Sequence, residues 1–256
     1  MIYTNKNNFG KFFIRWNPWF GCFKISEGCV NCFIHNLGSF IDRYFPFNIS
    51  QRDYPVGQVV TISLNSDFFL KEADKYRNQA WQEIKKNSNL IFLIITKRVD
   101  RIKECLPLDW DNGYENVIIC ATVETQQRAD ERIPLLLELP LKHRWVTCSP
   151  LLEHIDLSKY LSTGQIEHVE AFGEKVFKST SSARPVAYEW FESLSKQCIE
   201  YDVRFSLPYV GNQCIMPDGS IIGDCCTCFH SELADSLDIE NYKPITFKLK
   251  SCDITY

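Results

Sequence analysis

Seven residues, Leu90 to Thr96 (LIFLIIT), restrict the fold more than any other part of the chain. A strand that is apolar at nearly every position has no face left for water, so it belongs in a parallel sheet covered on both sides. Similar runs recur at VVTISL (59–64), NVIICATV (116–123), HRWVTCS (143–149), IEHVEAF (166–172) and DVRFSLPYV (202–210). Between them the apolar spacing turns helical. Residues 69–86 place Phe69, Ala73, Tyr76, Ala80, Trp81 and Ile84 on one face, and VDRIKECL (99–106) is a short helix. Ala129, Ile133, Leu136 and Leu137 mark another helix, in which Pro134 imposes a kink or an early end. Pro185 suits a first helical turn, with Val186, Trp190, Leu194 and Cys198 along the face that follows. FFIRW (12–16) supplies the first strand, and Phe33, Leu37, Phe40 and Ile41 an early helix.

About six βα units of this kind form either an open doubly wound sheet or a barrel. Polar residues just past the strands favour the barrel, whose active rim lies at the strand C-terminal ends. They are Asn65, Ser66 and Asp67; Thr96, Lys97 and Arg98; Glu124; Ser149; and Glu174. The expected fold is α/β, a partial (β/α)6 TIM-like barrel over residues 1–210, open on one side, with a Cys-rich extension over 211–256. GxGxxG and Walker lysine motifs are absent. No apolar run is long enough for a membrane span. The opening MIYTNKNNFGKFFIRW lacks the apolar core of a secretory signal, so the expected location is cytoplasmic.

Twelve cysteines are more than packing in a reducing cytosol calls for. Cys120 and Cys148 fall within strands and read as small buried hydrophobes. Cys22, Cys29 and Cys32 stand together in WNPWFGCFKISEGCVNC, with C-x6-C-x2-C spacing. Three thiolates on one short loop suit a soft metal site and leave a coordination position open. Gly21 and Gly28 let the chain turn just before two of them. A [4Fe–4S] cluster fits such a set; a zinc site would need a fourth ligand, for which His35 is placed. Cys214, Cys225, Cys226 and Cys228 flank and follow an expected hairpin at MPDGSIIGD. They offer a second Fe–S or zinc site, with His230 in reserve. Neighbours in an extended segment point apart, so only one of Cys225 and Cys226 is expected to bind with Cys228.

Around these cysteines the sequence resembles a known family, the phage Gp37/Gp68-like proteins, a domain of unknown function related to radical S-adenosylmethionine (SAM) enzymes. The resemblance is carried by WNPWFGCFKISEGCVNCF (16–33), LNSDFF (64–69), LIITKRVDRI (93–102), TVETQQRADERIPLLLELP (122–140) and SPLLEHIDL (149–157). Phe33 departs from a usual Tyr and Ser149 from a usual acidic residue. AFGEKVF (171–177) replaces a glycine-rich segment, and FSLPYVGNQC (205–214) an aromatic ending. The resemblance implies a radical-SAM-type partial barrel, one [4Fe–4S] cluster on Cys22, Cys29 and Cys32, and SAM at its open iron. The implied chemistry is reductive cleavage of SAM, with hydrogen abstraction from a substrate by the 5′-deoxyadenosyl radical. A reductant of the flavodoxin or ferredoxin kind is then a partner. Asn65, Asp67, Thr96, Lys97, Arg98 and Glu124 are the candidates to hold SAM, as cations and hydroxyls for its carboxylate and acceptors for its amine and ribose.

The formal charge of −4 and the shortness of the basic segments KKNSN (85–89) and TKRVDRIK (96–103) favour a peptide or small-molecule substrate over nucleic acid. The alternatives are radical SAM chemistry on nucleic acid, or a non-enzymatic Fe–S or zinc-bound adaptor that uses the same cysteines for folding. Arg128, Asp130, Glu131 and Arg132 read as a salt-bridged helix surface.

Overall fold

The computed structural model describes residues 14–36, 38–47, 54–176, 182–224 and 232–256, and in it the apolar runs pair as one parallel sheet. Its strands are β1 (Ile14–Trp16), β2 (Val59–Ile62), β3 (Ile91–Thr96), β4 (Val117–Thr122), β5 (His143–Cys148), β6 (His168–Phe172) and β8 (Arg204–Tyr209), adjacent in that order. The short β7 (Val186–Ala187) lies outside it. Strands that are consecutive in both sequence and space, joined by right-handed crossovers, put the connecting helices on one face. The sheet curls toward its other face into a half-barrel. A doubly wound sheet would reverse its strand order partway; this one does not.

The outer layer is α1 (Asp74–Lys86), α2 (Ile102–Cys105), α3 (Gln126–Glu138), α4 (Ser158–Leu161) and α5 (Tyr188–Glu200). The α3 helix starts at the Thr125 cap and runs through Pro134, because burial of Ala129, Ile133 and Leu136 outweighs the hydrogen bond that proline removes. Two expectations need correction. After Cys32 only a 3₁₀ turn forms, Phe33–Asn36; Gly38 turns the chain at φ +107°, and Ile41 then bridges Phe20. Leu37 lies outside the described residues. Pro185 precedes β7 rather than a helix, since Val186 N–H donates to Gln213 O (3.0 Å) as β7 pairs with β9 (Cys214–Ile215). Regular structure also continues past residue 210. The expected hairpin is there, with β9 antiparallel to β10 (Ile221–Ile222) and Gly219 at φ +81° in its turn. It is followed by α6 (Glu232–Ser236) and a second hairpin, β11 (Thr246–Lys248) with β12 (Asp253–Thr255).

Alternate side chains of each strand point to opposite sides of the sheet. Phe92, Ile94, Ile119, Val146 and Val169 pack with the helices, whereas Ile91, Leu93, Ile118, Cys120 and Trp145 form a second core on the concave side. Ile245, Phe247 and Leu249 close over that second core. The C-terminal segment therefore plugs the concave face at the N-terminal ends of the strands.

Candidate functional site

The loop carrying Cys22, Cys29 and Cys32 lies across the C-terminal ends of β2, β3 and β4. Two buried carboxylates fasten it there. Asp67, just past β2, accepts from Thr96 Oγ1 (2.8 Å) and Phe69 N (2.9 Å) on one oxygen, and from Arg98 Nη1 (3.0 Å) and Lys97 N (3.2 Å) on the other. Arg98, held in this way, donates to Cys22 Sγ (3.4 Å) and Phe23 O (2.9 Å). Glu124, just past β4 and fully buried, accepts from Lys97 Nζ (2.5 Å), Arg132 Nη1 (2.6 Å) and Ser26 Oγ in the loop. A buried charge is tolerated only when it is paired and hydrogen-bonded, and both of these are.

Gly28 explains how closely the loop approaches. A Cβ there would fall 2.7 Å from Lys97 Nζ and nearer still to Glu124. Gly21 is likewise fixed by contact and by φ +89°, with its added Cβ 2.6 Å from Phe40 Cα. Its N–H donates to Asn65 O (2.9 Å), and Ser66 Oγ donates to its carbonyl (2.6 Å). Asn65 thus meets the loop through its backbone. On the loop's far side, Glu27 accepts from Thr125 Oγ1 (2.9 Å) and Arg128 Nη2 (3.0 Å). Those donors, working against burial, hold its carboxyl at about 2. Glu174, past β6, accepts from Asn31 Nδ2 and Arg184 N (2.8 Å each) and pairs with the Arg184 guanidinium, whose Nη1 reaches Glu27 O (3.0 Å).

The three thiols are free, and Cys29 lies within electrostatic reach of both others. Burial raises Cys22, against the pull of Arg98, and raises Cys32. Burial also acts on Cys29, but the Lys97 charge and hydrogen bonds from Ile25 and Ser26 bring it below the ordinary thiol value. Three soft donors on one loop, beside fixed cations, are a donor set that fits an Fe–S cluster, in which each thiolate binds a different iron. Among the described residues no three His, Cys, Asp or Glu side chains gather as ligands for a single ion.

Of the residues expected at the site, Asp67, Thr96, Lys97, Arg98 and Glu124 join the cysteine loop as one network. Cys214 instead sits on β9 in the main core, its thiol pushed up to about 12 by burial. Cys225, Cys226, Cys228 and His230 lie outside the described residues. Arg132 is not the surface residue expected; it is buried against Glu124 and Thr122 O. Ser26, Glu27, Asn31 and Arg184 were missed as loop anchors. Their partners are about a hundred or more residues away, and nothing local signals such a pairing.

A family model matches residues 46–217, more than half of the chain. The chain belongs to the DUF5131 family. That family is described as a protein of unknown function, and the matched range contains the rim residues from Asn65 to Glu174 but begins after the cysteine loop. Nothing in the match points to the phage Gp37/Gp68-like proteins or to radical SAM enzymes. No curated protein and no solved structure matches the chain. Among the described residues, no helix is long and apolar enough to cross a membrane.

Proposed function

We propose that this protein is a cytoplasmic radical SAM enzyme in which Cys22, Cys29 and Cys32 hold a [4Fe–4S] cluster at the rim of a partial barrel, acting on a peptide or small molecule. One observation carries it: a loop with three free thiols is clamped by Asp67–Arg98 and Glu124–Lys97 onto the strand ends of a half-barrel. When bound, the cluster and SAM supply one-electron cleavage to methionine and a 5′-deoxyadenosyl radical that abstracts hydrogen.

The chain's own residues bind, orient and exclude water. Arg98 beside Cys22 and Lys97 beside Cys29 pull against burial toward the thiolate, far enough at Cys29 to bring it below the ordinary thiol value, and they offer charge to the SAM carboxylate. Asp67 and Glu124 fix the direction of those cations. Trp19, fully buried with Nε1 donating to Asp67 O (3.1 Å), keeps water from beneath the loop. A flavodoxin or ferredoxin serves as reductant, and Cys214, Cys225, Cys226 and Cys228 remain candidates for a second Fe–S or zinc site. The test is anaerobic incubation of the iron-reconstituted, dithionite-reduced protein with SAM, followed by chromatography. Formation of 5′-deoxyadenosine and methionine in equal amounts is expected. A protein that retains its iron but neither binds SAM nor yields either product is an adaptor instead.

A further inference from the structure

Beyond the β11–β12 plug, toward the C-terminal ends of the strands, the concave face changes character. Register aligns Thr122, Thr147, Glu170 and Ser206 across β4, β5, β6 and β8. They stand one step nearer the rim than the row Cys120, Trp145, His168 and Arg204. Residues two apart on a strand face the same way, so both rows look into the half-barrel. Polar side chains there are costly unless their hydrogen bonds are made.

Several are not made. Among the described residues, Thr147 Oγ1 and His168 Nδ1 have no hydrogen-bond partner, although the residues are only 2% and 4% exposed. The other ring nitrogen of His168 bonds Ser206 Oγ (2.8 Å). Glu170 is half-buried, and its carboxyl has an electrostatic link to Arg204 but no hydrogen bond among the described residues. Burial pushes that carboxyl up to about 7, with Arg204 pulling it down and Glu240 pushing it up. Arg204 is turned toward the tail, where Nη1 reaches Lys243 O (3.5 Å) and the guanidinium lies 5.8 Å from the Tyr242 ring. Ile95, Phe172 and Tyr209 border the row and keep partial exposure, the last two with ring centroids 4.7 Å apart.

We infer that this row is the substrate pocket and that it takes a small molecule or side chain bearing an amine or hydroxyl, which donates to Glu170 while Thr147 and His168 complete its hydrogen bonds. An acid fits less well, because its carboxylate would face the Glu170 carboxyl in the same row. The inference rests on the assignment of the rim as the reactive face, but its test needs neither cluster nor cofactor.

The test uses the full chain and three probes of one shape: benzylamine, benzyl alcohol and benzoate, followed by ligand-observed saturation-transfer NMR. The amine and the alcohol are expected to bind and benzoate not. Glu170→Gln should weaken benzylamine about tenfold, the size of one charge-assisted hydrogen bond. Thr147→Val, which keeps the shape, should weaken both binders about threefold or more. Benzylamine should bind more tightly from about pH 6 to about pH 8 as Glu170 ionises among Cys120, His168, Arg204, Tyr209 and Glu240, with Lys175 over the Tyr209 ring. Benzoate binding as well as the amine, binding unmoved by both variants, or no binding by any probe overturns the inference. Each of those results leaves SAM cleavage by the wild-type protein to be judged separately.

Discussion

Glu124→Gln removes one negative charge from the most buried point of the site and changes little else in shape. Its carboxylate compensates two cations, Lys97 at 18% side-chain exposure and Arg132 at 8%. Lys97 can turn its ammonium toward water; Arg132 cannot, and among the described residues its remaining hydrogen bond is to Thr122 O. Breaking a buried pair from one side typically costs 3–5 kcal/mol, and the partial escape of Lys97 places this variant near the lower end, at about 3 kcal/mol. For a chain of this size that corresponds to roughly 6–12 °C in Tm. Ser26 loses a strong acceptor in the same step, so the cysteine loop should loosen. Urea unfolding of the reduced, metal-free chain measures the first effect, and thiol titration with a chromogenic disulfide the second. Glu104→Gln is the control: its partner is Arg101, Glu104 is 64% exposed, and the change should cost less than about 1 kcal/mol. If Glu124→Gln also costs less than about 1 kcal/mol and leaves thiol reactivity unchanged, Glu124 does not anchor the loop.

Gly28→Ala should cost about 1–3 kcal/mol and raise thiol reactivity, since the added carbon meets a Glu124 that three donors hold in place; unchanged unfolding and reactivity would refute the close approach. Glu170 holds a proton in the folded state that the unfolded chain releases, its pKa rising from 4.5 to about 7. Stability should therefore fall as pH rises through that window, by at most about 3 kcal/mol, and Glu170→Gln should flatten the profile. Parallel urea-midpoint profiles for the two proteins would contradict this. Phe247→Ala should cost about 3–5 kcal/mol in one cooperative transition, because its ring is fully buried on the concave face. An unchanged midpoint would mean that the tail is not part of the folded core.

The parallel sheet was legible because each central strand is apolar on both faces, as in LIFLIIT and VIICAT, and helical spacing separates the runs. The rim was legible for the same reason, since polar residues just past such strands have few other places to go. What escaped was long-range pairing. Arg132 lies four residues from Arg128 on a helix of mixed charge, and only the fold shows that one meets Glu124 and the other Glu27. The early helix failed because apolar spacing at Phe33, Phe40 and Ile41 spans Gly38, whose positive φ turns the chain. Two signals were present and unused. ITFKLK alternates with period two, as half-buried strands do, and became β11. The alternating polar positions in HRWVTC, HVEAF and RFSLPY mark the concave rows that carry Thr147, His168 and Glu170.

In the proposed function, Cys22, Cys29 and Cys32 hold the cluster. EPR of the anaerobic, dithionite-reduced protein, wild type against the variant with all three changed to alanine, tests it most directly. Iron and sulfide are assayed on both, and circular dichroism confirms that the variant is folded. The wild type is expected to show a reduced-cluster signal with about four irons and about four sulfides assigned to the site, and the folded variant to lose both. An undiminished signal in the folded variant would contradict the assignment and remove these cysteines from the role.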